Sequence, residues 1–579
     1  MIRQPYAYQV EGDARQNNPV NPEDVIKSRL SDWRQRYIQV YEESLRLRLF
    51  SIFLLTIFCG ICCFSFIFMW TWILYPGPTY DVIIDAGSVH TSMSVYAYPY
   101  KYSYQDMEEV FSCEISATKG ITMVPVKDLE SFIFDSVCMK KMYNETAIKP
   151  GEGHYFIGGT AGLRNLYEKN QKKAELIMRT LNEMLKRRTQ DGDSDAFILQ
   201  SQDEGKYGWL TVNYLLNGMD ISHEKQVGSL DWGGGSSEIS FATEKESTSV
   251  ISIQGNPLNL YTKSDECYGQ SEALKRYYAT LIKDNYESNG GELNFPIVAP
   301  CQPGSKNGGQ LFFTQTVTDI FNSSCSKYWD WNLRNMTDNS SDETLEFLAT
   351  SDPEQCRRVI KKLFDPFECR MTFNKHCFSY QDDLPKPREF FAFSTYFYTG
   401  NLLQLSVDKP FSLEESWEHS SYLCRQKYDI DHPMFSKGKD FVQNECFRSV
   451  FMNVLIQDGY KISTDQTRIK IVEKVKGQSV GWSLGYAFGK ESKWDIIARK
   501  NLITLWCVFS VIVTFSLCVC NYDLLFRGAR GMRRLCLGKN HPYSRTDEEN
   551  VPPVETLAPG AEADDVLADV QTNRDPENS

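Results

Sequence analysis

Two uncharged runs constrain this 579-residue chain more than any other feature: residues 49–75 (LFSIFLLTIFCGICCFSFIFMWTWILY) and 501–522 (NLITLWCVFSVIVTFSLCVCNY). Each exceeds the roughly 20 apolar residues that a helix needs to cross hydrocarbon. The first follows 48 mostly polar residues and is too long for a cleavable signal, so it reads as an uncleaved anchor. Trp70, Trp72 and Tyr75 at its end fit an interfacial aromatic belt. Lys27, Arg29, Arg34, Arg36, Arg46 and Arg48 precede it, and no Lys or Arg follows until Lys101. Residues 1–48 are therefore expected in the cytoplasm. Two spans put both tails on one side, so 523–579 form a second cytoplasmic tail, largely disordered. Residues 76–500 then face the outside at the plasma membrane; a Golgi or other secretory lumen fits the same topology.

The cysteines agree with that topology. Ten of the 17 lie between the spans: Cys113, Cys138, Cys267, Cys301, Cys325, Cys356, Cys369, Cys377, Cys424 and Cys446. An even number suits disulfides in an oxidising compartment, and the segment has no C-x2-C pair to favour zinc. Sequons at Asn144, Asn322, Asn335 and Asn339 all fall on the same side, as glycosylation requires. The net charge of -13 argues against nucleic acid as a partner, because a phosphate backbone needs a basic face. About 425 residues are too many for one core, so two lobes are expected. Strand-like runs alternate with an amphipathic helix expected over 166–187, which places the segment in the α/β class.

An internal echo carries the first chemistry. Residues 81–98 read as strand, Asp85, Gly87-Ser88 turn, strand. Residues 228–242 read as strand, Asp231, Gly233-Gly234-Gly235-Ser236 turn, strand. Turns of small residues let backbone N–H groups converge on an anion, and Ser88, Ser236 and Ser237 add hydroxyls. An Asp before each turn can hold a hard cation directly or through water. Taken singly, each is also a plain tight hairpin. Three further segments are weaker alone. IGGTAGLR (157–164) can present N–H groups and Thr160 at a helix start. Asp203 and Glu204 precede a helix-like run, as a general base or as a cap. GWSLGY (481–486) places Trp482 before the second span, as packing or as a cleft wall.

In order, DAGSVHTS, GGTAGLR, DEGKYGWLTVNYLL, LDWGGGSSEISF and GWSLGYAF resemble the five conserved regions of the ecto-nucleoside triphosphate diphosphohydrolases, or ecto-apyrases. The resemblance spans residues 81–488 and extends to the two spans and ten cysteines of the cell-surface branch. It implies a two-lobed, actin-like ectodomain with a duplicated RNase H-like fold. Residues 76–200 with 472–492 would form lobe I and 201–471 lobe II. It implies hydrolysis of nucleoside tri- and diphosphates with Ca2+ or Mg2+. By motif position, Glu204 would be the general base, and Asp85 and Asp231 would hold the metal through water. Ser88, His90, Thr160, Ala161, Gly233, Gly234, Gly235, Ser236 and Glu238 would bind phosphates or place the water, and Phe397 or Tyr398 would stack on the base. The implied disulfides are Cys113–Cys138, Cys267–Cys325, Cys301–Cys356, Cys369–Cys377 and Cys424–Cys446.

Three positions depart from the family pattern: Val89 stands where Ser is usual, Trp232 where Leu is, and Glu238 where Gln is. An ionised Glu accepts a hydrogen bond from water but cannot donate one, which puts the rate and pH optimum in question. An inactive relative serving as a nucleotide receptor or scaffold is one alternative. An ATP-gated channel, with the same topology and cysteine count, is another, but it has no use for Gly-rich hairpins. Gly60 and neighbouring small residues allow self-association through the spans.

Overall fold

The structure, a computed structural model, describes residues 21–69, 79–98, 107–116, 120–189, 194–218, 225–244, 248–253, 256–304, 310–330, 332–334, 343–379, 388–407, 409–426 and 443–489, with 506, 508 and 509. The N-terminal part is one helix, Pro22–Met69, in which the polar segment runs straight into the uncharged one. Among the described residues this is the helix long and apolar enough to cross a membrane, and none of its apolar window is buried. The second expected span lies outside the described residues except for Trp506, Val508 and Phe509.

The first sheet has the order β3-β2-β1-β4-β5, with β1 Thr79–Ala86, β2 Thr91–Tyr98, β3 Glu108–Ser116, β4 His154–Gly159 and β5 Asp195–Ile198. The hairpin strands are antiparallel, while β1, β4 and β5 run parallel. Val82, Ile83 and Ile84 are fully buried, because β1 is covered on both faces and therefore lacks the apolar–polar alternation of an edge strand. The expected helix over 166–187 is two helices, Ala161–Lys169 and Gln171–Arg188. The chain breaks at Asn170, whose side chain accepts from Lys173 N at 3.1 Å and caps the second helix. That second helix buries Ala174, Ile177, Leu181, Met184 and Leu185 against the sheet.

The second sheet repeats the plan. It contains β6 Gly228–Trp232, β7 Ser236–Ala242, β8 Ser249–Ile253 and β9 Asn256–Glu266. A small sheet of β10 Ile297–Ala299, β11 Leu311–Thr316 and β12 Thr344–Ala349 intervenes, before β13 Glu389–Ser394 and β14 Arg468–Ile471 complete the order β14-β13-β6-β7-β9-β8. Again a hairpin and its antiparallel neighbour lie on one side, and two parallel strands lie on the other. The echo in the sequence is thus a duplicated sheet topology.

Each sheet has its own core, and a third core joins them. There Trp209, Leu210 and Val212 of helix Ser201–Asn217 pack with Ile83 and Phe156 of the first sheet and Phe391 and Phe393 of the second. Trp482, Leu484 and Phe488 fill the same layer. All five implied disulfides form. Asn144 and Asn322 are exposed; Asn335 and Asn339 lie outside the described residues.

Candidate active site

Asp85 and Asp231 are the penultimate residues of β1 and β6, so both carboxylates arrive where a strand gives way to its turn. The two turns face one another. A Cβ built on Gly234 would strike Ser88 Oγ, and Val89 Cγ2 at 2.7 Å; one on Gly235 would meet Ala161 Cβ at 2.6 Å. Only glycine allows that approach. The Gly233, Gly234 and Gly235 carbonyls accept from Gln270, Ser271 and Cys267 N–H at 2.9 Å each, which anchors the turn by its acceptors. Its donors are left over. The N–H groups of Gly234 and Gly235, and those of Ser88, Val89 and His90, donate to no protein group among the described residues. That is an anion nest in two halves. Between them starts helix Ala161–Lys169, with Thr160 buried as its N-cap, hydroxyl unused for capping, and N–H tied to Ala86 O at 3.3 Å.

Glu204 enters from the first turn of helix Ser201–Asn217 and is 9% exposed. Glu238 lies opposite Asp231 in the β6–β7 register, is 2% exposed and accepts from Ser264 Oγ at 2.7 Å. Arg164 completes the cluster. Its Nη1 donates to Glu204 Oε2 at 2.8 Å, its Nε to Glu266 Oε1 at 2.5 Å and its Nη2 to Ser236 Oγ at 3.1 Å. The Trp482 ring packs over Gly158 beneath Asp85; its N–H favours the charged carboxylate but stops short of a hydrogen bond. His90 is exposed, and its charge would favour ionised Asp85 and Asp231. Tyr398 is 64% exposed and meets Phe397 edge-on at 5.5 Å, while Phe397 packs against the second core.

Burial raises these carboxyls, and neighbouring carboxylates add to the rise in Glu204, Asp231 and Glu238. Burial, with Asp231 and Asp85 nearby, pushes Glu204 up to about 8 despite Arg164. Burial and Asp85 push Asp231 up to about 6, although Ser394 beside it favours the charged form. Burial, Glu204 and Asp231 hold Glu238 well above the carboxylate range. Asp85 is raised by burial, and its Oδ1 is a buried oxygen with no hydrogen-bond partner. Excess negative charge and an orphaned oxygen fit a divalent cation. Among the described residues no three His, Cys, Asp or Glu are grouped to hold a metal by themselves. Asp85 and Asp231, two oxygen donors, would suit a hard cation that keeps much of its water.

The GDA1/CD39 (nucleoside phosphatase) family matches residues 77–504, a stretch that contains every one of these groups. This chain belongs to that family. It is a hydrolase of the GDA1/CD39 type. It is 30% identical over 439 residues to ectonucleoside triphosphate diphosphohydrolase 3 of Mus musculus, covering 72% of this chain and 78% of that protein. Over 434 residues it is 26% identical to ectonucleoside triphosphate diphosphohydrolase 1 of Mus musculus, covering 70% and 80%. Its fold resembles that of nucleoside triphosphate hydrolases from Neospora caninum, with a TM-score of 0.51 over 72% of this chain and 93% of that one, at 12% identity.

Within this GDA1/CD39 site, sequence reasoning passed over Arg164, Glu266, Ser264 and Ser394. Arg164 had a signal, standing one helical turn after Thr160 and so on the same face. Ser394 had none. It borders Asp231 because β13 pairs with β6, and it takes φ 59°, a left-handed value uncommon for a residue with a Cβ.

Proposed function

We propose that this protein hydrolyses nucleoside tri- and diphosphates to the monophosphate and phosphate, by in-line attack of a water activated by Glu204. The observation that carries this reading is the facing pair of turns, with unused N–H donors, an Asp beneath each and Glu204 beside them. Phosphoryl transfer needs positioning and charge neutralisation more than covalent help. The N–H groups of Ser88, Val89, Gly234 and Gly235 take up charge on the phosphate oxygens. Thr160, Ala161 and the Ser88 hydroxyl extend that cradle, and Glu238 with Ser236 orders the water. Asp85 and Asp231 would hold Ca2+ or Mg2+, which would supply charge neutralisation for the phosphates. Burial raises Glu204 to about 8, so near neutral pH its basic form is the minority, and the charge of a bound cation would increase that fraction. The reaction needs no nucleophilic side chain, so no phosphoenzyme forms. The long uncharged runs and the ecto-enzyme relatives support a membrane-anchored protein with this site outside the cell.

The test is phosphate release from ATP and ADP added outside intact cells that express the chain, with Ca2+ or Mg2+, with chelator, and with Glu204→Ala. Cation-dependent release lost in the variant supports the reading. A silent native protein at the surface would instead favour a nucleotide-binding receptor.

A further inference from the structure

The Arg164 side chain donates to four groups, of which the nearest in sequence is 35 residues away. Besides Glu204, Ser236 and Glu266 it donates from Nη1 to the Leu199 carbonyl at 2.9 Å, which fixes the loop leading into the Glu204 helix. Its side chain is 11% exposed, against 12% for Glu204 and 15% for Glu266. Glu266 ends β9 and is followed by Cys267, which is disulfide-bonded to Cys325, so this end of the clamp is stapled to the second half of the fold. Glu204 Oε2 is occupied by the guanidinium; Glu204 Oε1 has no hydrogen-bond partner among the described residues. Ser236, the second anchor, begins the strand directly after the Gly-rich turn.

Resting on the hydrolysis reading above, we propose that Arg164 is the positioning residue of this reaction. It holds Glu204 by Oε2 in a fixed place relative to Ser236, leaving Oε1 to face the attacking water. The planar fork is what fixes the geometry, because five donors in one plane hold four partners at set angles, which an ammonium cannot do. In the step itself the water oxygen bonds to the terminal phosphorus and its proton passes to Glu204 Oε1. The bridging P–O bond breaks, and its electron pair leaves with the shortened nucleotide. Arg164 gains and loses no proton.

The experiment compares the native full chain, Arg164→Lys, Arg164→Gln, Glu266→Gln and Glu204→Ala at the cell surface, each quantified there, with kcat and KM for ATP followed against pH. Arg164→Gln is expected to lower kcat about 100-fold, the scale of an ångström misplacement, with KM within about threefold. Its acid limb should move to higher pH, since Glu204 then faces Asp85, Asp231 and Glu238 without the guanidinium. Arg164→Lys keeps the charge and loses the fork, so kcat should fall while the limb stays near its native position. A kcat for Arg164→Gln within about threefold of native, with Glu204→Ala inactive, overturns the positioning role and leaves the hydrolysis reading standing. Inactivity of the native chain defeats the hydrolysis reading instead. Should Arg164→Gln fail to reach the surface, Glu266→Gln decides. It frees Arg164 from its second carboxylate, so a limb moved to lower pH with reduced kcat supports the clamp, and an unchanged enzyme overturns it.

Discussion

Ser88 presses on Gly234: the tip of the first turn fills the space where a side chain on the second would begin. The two nests therefore face each other at a spacing set by the bare Cα of Gly234. Gly234→Ala should force them apart and lower kcat by about 100-fold, on the scale of an ångström error in placement. The cores lie away from this tip, so surface expression and the melting temperature should change little. Activity within a factor of three of native in a phosphate-release assay would show that the turns do not act together.

Glu238 is opposite Asp231, and its carboxylate, when ionised, would add a negative charge to the cluster. Glu238→Gln keeps an acceptor for Ser264 and removes that charge. The acid limb of kcat/KM should shift to lower pH, and activity below neutrality should rise. A pH–rate profile of the variant checks this; an unmoved limb means Glu238 is already protonated in the working enzyme.

Cation and pH should act on stability together. Glu204 rises from 4.5 to about 8 and Asp231 from 3.8 to about 6 without a cation. The folded chain then holds these protons more tightly than the unfolded one, so the protonated cluster favours folding at acid pH and that advantage fades as pH rises through the folded values. Purified full chain in chelator should melt at lower temperature at about pH 8 than at about pH 5.5. Adding Ca2+ should raise the melting temperature more at the higher pH, where the carboxylates are ionised and repel. An equal rise at both would argue against a cation held by this cluster.

Trp232 is fully buried, stacks on Phe451 at 5.5 Å and donates its ring N–H to the Tyr268 carbonyl at 3.1 Å. It supports the second turn from inside the core without reaching the cleft. Trp232→Leu leaves a cavity and an unpaired carbonyl, so a loss of about 3 kcal/mol is expected by denaturant unfolding. The KM for ATP should stay near native if Trp232 is only a support.

The sequence by itself determined the duplicated hairpins, the Asp before each turn, the α/β class and, through its resemblance, the five disulfides and the family. These are local or pairwise signals: strand pattern, turn chemistry and motif order. The break at Asn170 was written there too, in a capping side chain, but an apolar period running across it concealed the boundary. Tertiary structure alone decided how the signals meet. The pairing of β13 with β6 brings Ser394 beside Asp231, from 163 residues away. The packing of the two turns gives Gly234 its constraint, and folding gathers Glu204, Ser236 and Glu266 around one guanidinium. The raised carboxylates belong to this level as well. A pKa reports burial and neighbouring charge, and both exist only when distant strands bring their acids to the same dry place.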